Sequence, residues 1–230
     1  MQNDLRGNLA AIIERIERAA QKVGRDSKEI KLVAVSKTHP AEVLQAAIES
    51  DIRIFGENKV QEAADKIEIL GRENIEWHLI GHLQSNKARR AVQLFDVVHT
   101  LDSIELAERL ERICIEENRQ SLSVLVQIDL ANEATKNGIK ESELSATIEF
   151  LKNCGRLKFD GLMTIPPYFD DVEKVRPFFK RLREIRDAVL PNGELSMGMS
   201  HDFETAIEEG ATIIRVGTAI FGSREKIVQR

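Results

Sequence analysis

The chain has 230 residues, of which 42% are hydrophobic and 31% charged, with 33 basic side chains against 38 acidic and a formal charge of -5. That balance fits one sizeable hydrophobic core, read as a single domain over residues 1–230, and supplies no global basic field for nucleic acid or an anionic membrane. Cys114 and Cys154 lack C-x-x-C spacing, which argues against a disulfide framework or a zinc site and for two packed thiols.

In chain order, Leu5, Leu9, Ile12, Ile13, Ile16 and Val23 recur at helical spacing among charges and predict an amphipathic N-terminal helix. This helix has no apolar centre of the kind a signal peptide carries, and no apolar run approaches the roughly 18 residues of a membrane span, so the cytoplasm is the expected compartment. Eight strand-like runs follow: "KLVAVSK", "IRIFGEN", "IEWHLIG", "DVVHTLD", "LSVLVQIDL", "LKFDGLMTI", "ELSMGMS" and "ATIIRVGTA". Helical patterns lie between them at residues 41–50, 59–71, 86–95, 103–119, 141–153, 172–190 and 202–209. Strand and helix alternating eight times predict an α/β chain with a closed (β/α)8 barrel; an open doubly wound sheet is the alternative.

Loops after the strands form the functional face of such a barrel. The strand ends carry Lys37, Glu57 with Asn58, His82, Asp102, Asp129, Thr164, Ser200 with His201, and Thr218. Lys37 shares strand parity with Val33 and Val35, so an inward face would bring its amine into the barrel mouth. A partly desolvated amine there can form a Schiff base with a carbonyl, and a solvated strand-end lysine fits the same pattern. Arg215 interrupts an apolar run and cannot shed its charge, so it needs either a ligand or an inward carboxylate.

Arg215 and Gly217 share parity about 6.6 Å apart, enough to meet the ring and the phosphate of one small ligand. Gly217 allows close backbone approach and Thr218 adds a hydroxyl. Ser200 and Asp202 stand before a helix, where Ser200 serves either as a cap or as a phosphate ligand. His78 and His82 fall roughly 13 Å apart along a strand, too far for one metal ion. Lys87, Arg89 and Arg90 cluster without aromatic neighbours and read as a solvated face or an anion contact.

Lys37 in "VAVSKTHP", Asn58 in "FGENKVQE", "WHLIGHLQSNK", "SMGMSHDFETAI" and "RVGTAIFG" together resemble the YggS/PROSC family of pyridoxal phosphate homeostasis proteins, over about residues 30–224. The resemblance implies a modified TIM barrel like the N-terminal domain of alanine racemase, of the fold-type III class. It also implies pyridoxal 5'-phosphate (PLP) held on Lys37 as an internal aldimine. By the same resemblance Ser200, Gly217 and Thr218 are phosphate ligands, Arg215 faces the pyridine nitrogen, Asn58 approaches the ring, and Met199 and Met163 line the pocket. The expected role is a non-catalytic, monomeric carrier that buffers PLP or delivers it to apoenzymes, with Lys136 as a second amine or a solvated loop lysine. Two alternatives are a small PLP-dependent racemase and a Schiff-base aldolase. A racemase needs a second base, and Tyr168, the chain's one tyrosine, has no assigned place in the site.

Overall fold

The computed structural model describes residues 4–131, 133 and 137–222; Lys136 lies outside them. Eight parallel strands close into a barrel in chain order, which removes the open-sheet alternative. They are β1 (Lys31–Val35), β2 (Ile54–Glu57), β3 (Glu76–Leu79), β4 (Val97–Leu101), β5 (Leu122–Gln127), β6 (Leu157–Met163), β7 (Glu194–Met199) and β8 (Ile213–Val216). Each is buried on both faces, which is why the sequence shows apolar runs rather than strict alternation. Val33, Leu125, Met163 and Ile213 cluster inside the barrel with Ile54, Val97 and Ile165, while Phe55, Trp77, Leu79, Val98 and Leu195 belong to the outer core under the helices.

The helices are α1 (Leu5–Lys22), α2 (Ala41–Glu49), α3 (Val60–Leu70), α4 (Ala88–Leu94), α5 (Ile104–Glu116), α6 (Glu141–Lys152), α7 (Arg176–Val189), α8 (Phe203–Glu208) and α9 (Thr218–Phe221). Most end a residue or more inside the predicted ranges. The segment expected from 172 opens instead with a 3-10 turn, Val172–Lys174, and the α-helix starts one residue before Pro177. Proline is tolerated there because the first-turn N–H has no helical acceptor to lose.

α1 buries Ile12, Ile16, Ala19 and Ala20. It packs on α8 and α9, the elements that follow β7 and β8. Arg15 meets Glu204 with two hydrogen bonds of 3.1 and 2.8 Å and lies 4.4 Å over the Phe203 ring, and Asn8 donates to the Ile220 carbonyl. The extra helix therefore braces the loops at the functional rim. Among the described residues no helix is long and apolar enough to cross a membrane.

Candidate functional site

Lys37 sits half-buried in the turn after β1, and the peptide groups on both sides of it are clamped. Lys66 of α3, nearly fully buried, donates to the Ser36 carbonyl at 2.8 Å, to Glu57 Oε1 at 2.6 Å and to Glu62 Oε1 at 2.7 Å. The Ser36 hydroxyl donates to Glu57 at 2.6 Å, and the Thr38 amide donates to the Glu62 carboxylate. Thr38 adopts φ 68°, a left-handed conformation uncommon for a β-branched residue, which this clamp holds in place.

Glu57 does not open onto the barrel mouth, contrary to its place among the polar strand ends. It points outward to α3, because Gly56 takes the inward position, where a Cβ would lie 2.8 Å from Val33 Cγ1. Burial raises the Glu57 carboxyl above its ordinary range against the pull of Lys66, and among the described residues its Oε2 has no hydrogen-bond partner. Asn58 is the residue immediately after β2. Gly81 packs on its backbone, where a Cβ would meet the Asn58 carbonyl oxygen at 2.3 Å.

Arg215 points into the barrel and is 4% exposed. Among the described residues its hydrogen bonds go to Ser196 Oγ at 2.5 Å and the Thr164 carbonyl at 3.1 Å, with no inward carboxylate as the direct partner weighed for it. Burial lowers the guanidinium to about 10, with the charge of Asp202 opposing, so it stays positive at neutral pH. Ser196 is itself 2.8 Å from His99 Nδ1, and His99 Nε2 is 2.8 Å from His78 Nδ1. Neither His99 nor Ser196 stood out in the sequence. The available signal was parity, since His78 and His99 both occupy inward strand positions. His78 forms this pair, not a metal site, and among the described residues no group of three metal-ligating side chains exists.

Ser200 is turned toward the loop after β8. Its Oγ accepts the Gly217 amide at 3.2 Å and the Ala219 amide at 3.4 Å. The cap reading fails geometrically, because α8 has no side-chain cap; Asp202 Oδ1 instead accepts the Met199 amide at 2.7 Å. Gly217 packs so closely on β1 that a Cβ would lie 3.1 Å from the Val35 carbonyl oxygen. Thr218 opens α9 and is exposed, and Met199 pairs in register with Arg215 at the end of β7. Met163 is fully buried in the inner apolar cluster.

Other polar candidates are accounted for locally. His82 bonds Asp102 at 2.8 Å, Arg89 is held by Glu116 at the end of the neighbouring α5 and by Glu117 just after it, and the exposed Tyr168 ring lies tilted 5.3 Å from the His201 ring.

Fold and rim together define a (β/α)8 barrel of the alanine racemase N-terminal domain class, and the family model of that description matches residues 7–225. Pyridoxal phosphate homeostasis proteins of Aquifex aeolicus and Escherichia coli K12 are each 41% identical to this chain. The alignments cover 94% of this chain and 97% of the first relative, and 97% and 98% for the second. PipY of Synechococcus elongatus PCC7942, solved with PLP bound, aligns at TM-score 0.79 and 40% identity over 90% of this chain and 100% of that one. The chain belongs to the pyridoxal phosphate homeostasis protein family. An alanine racemase of Clostridium difficile 630, at TM-score 0.71 and 18% identity, shares the fold.

Proposed function

We propose that the protein binds PLP reversibly in vitamin B6 homeostasis, holding it through a Schiff base on Lys37 and passing it, as a monomer, to apoenzymes. In this reading Ser200, Gly217 and Thr218 take the phosphate, Arg215 faces the pyridine nitrogen, Asn58 lies beside the ring and Met199 flanks it. The observation that carries the reading is the meeting of Ser200 Oγ with the Gly217 and Ala219 amides at the end of the strand that bears Arg215. With its oxygen accepting both amides, the Ser200 hydroxyl keeps its own proton to donate to a phosphate, and the missing side chain at Gly217 keeps that approach open.

Bound PLP supplies an exchangeable aldehyde and an electron-withdrawing ring. Arg215, a fixed buried cation, opposes a second positive charge on the ring nitrogen it faces and so weakens the ring as an electron sink. The clamp around Lys37 fixes the backbone that carries its amine. These features support a carrier over an efficient enzyme. A racemase is the second reading, favoured by the Tyr168–His201 pair, whose two residues follow β6 and β7.

Absorption spectra of wild type and Lys37→Ala with added PLP, followed by borohydride reduction and peptide mass analysis, test the site. A visible band and a reduced adduct on Lys37, both lost in the variant and without amino-acid turnover, are expected. Robust turnover would instead make the protein an enzyme, and absence of any adduct would refute the cofactor reading.

A further inference from the structure

Barrel interiors are filled mainly by branched apolar side chains, yet here a file of polar groups runs across the interior. It begins at Arg215 of β8, passes through Ser196 of β7, His99 of β4 and His78 of β3, and ends at Glu76, the first residue of β3. Ser196 and His99 are fully buried and His78 is 1% exposed, whereas the Glu76 side chain is 42% exposed at the opposite end of the barrel. Buried polar groups in such a file must each find a complementary partner.

The direction of every bond follows from counting protons. Arg215 only donates, so Ser196 Oγ accepts from it. Among the described residues the other hydrogen-bond contact of Ser196 Oγ is His99 Nδ1, which must receive the hydroxyl proton or leave it buried without an acceptor. Burial holds His99 well below the ordinary imidazole range, so the ring is neutral and its single proton sits on Nε2. That proton goes to His78 Nδ1 at 2.8 Å, and His78 Nε2 donates to Glu76 Oε1 at 2.9 Å. The His78 bond, opposed by partial burial, keeps the Glu76 carboxyl below its usual range and thus an acceptor. All the donations point one way, from the cation at the rim to the carboxylate at the far end.

We propose that His99 and His78 are positioning residues for Arg215: by taking the Ser196 hydroxyl proton, they turn the serine lone pair to the guanidinium and fix its plane. This rests on the reading of Arg215 as the group that faces the cofactor ring. Among the described residues the guanidinium's hydrogen-bond partners are Ser196 and the Thr164 carbonyl, neither a carboxylate, and these two set its orientation. Reversing the file would present Ser196 with two donors and leave its own proton unmatched.

Nitrogen NMR of histidine- and arginine-labelled protein without cofactor reads the file directly. Both rings are expected neutral and protonated at Nε2, with the Arg215 Nη signals resolved by slow rotation. A proton on His99 Nδ1, or a doubly protonated His78, overturns the proposal. In His99→Phe the Arg215 signals are expected to average and PLP release to quicken about tenfold, with Lys37 still reducible by borohydride; Glu76→Gln, which still accepts, shifts release by about twofold. Wild-type Arg215 dynamics and release in a folded His99→Phe would overturn the positioning role. If wild type takes up no PLP, the functional reading fails, and the ring tautomers with the Arg215 dynamics decide the positioning by themselves.

Discussion

The amine of Lys66 lies 2.8 Å from the carbonyl oxygen of Ser36, the residue immediately before Lys37, and ties α3 to the end of β1. The same amine neutralises Glu57 at 2.6 Å. Lys66→Met preserves much of the volume but strands the Glu57 carboxylate, and breaking such a buried pair is expected to cost about 3–5 kcal/mol. Urea unfolding measures it; a loss under about 1 kcal/mol would show that the clamp contributes little to the fold.

Glu57 gives the pH dependence a definite sign. Its folded pKa is raised above the ordinary 4.5 by burial, so the protonated form favours the folded state. That contribution is present in full below the ordinary value and is lost as pH rises through the raised one. Glu57→Gln cannot titrate, so its stability relative to wild type should improve as pH climbs through this window. Urea midpoints from pH 4 upward follow the difference, and the opposite slope would refute the assignment.

Two glycines should respond differently to alanine. At Gly81 the added methyl would press on the Asn58 backbone at 2.3 Å, which has no flexible end to yield, and a loss of about 2–3 kcal/mol is expected. At Gly217 the nearest atom is 3.1 Å away, so Gly217→Ala should cost about 1 kcal/mol in stability. Its larger effect should be on PLP affinity, measured by spectral titration. Equal affinity in Gly217→Ala and wild type would remove Gly217 from the phosphate site.

Burial pushes both Cys114 and Cys154 up to about 11, so little thiolate exists at pH 8. A disulfide reagent should label the folded protein slowly, the partly exposed Cys154 before the buried Cys114, and both thiols promptly in urea. Fast labelling of Cys114 under native conditions would reveal local opening around α5.

The barrel was legible because its strands are apolar runs separated by amphipathic helices. Arg215 was legible because a charge inside such a run has no way to become neutral. Glu57 stood only as one polar strand end, because parity alone does not tell the two faces apart: one residue along a strand reverses the face, and Gly56 supplies no side chain to mark which face is inner. Lys66 passed as one more charge on α3, since nothing local distinguishes a buried lysine from a solvated one.

Sequence by itself determined the eightfold order of elements, the extra N-terminal helix, and Lys37, Arg215 and the Ser200 and Gly217 segments as the residues to watch. Local periodicity and the cost of burying charge carry that information. Only the tertiary structure decided the partners: that Ser200 turns to Gly217 rather than to α8, that Arg215 meets Ser196, and that His99 joins a serine 97 residues away. Those contacts exist because closing the barrel brings inward side chains of distant strands to one axis, where each buried donor must find an acceptor.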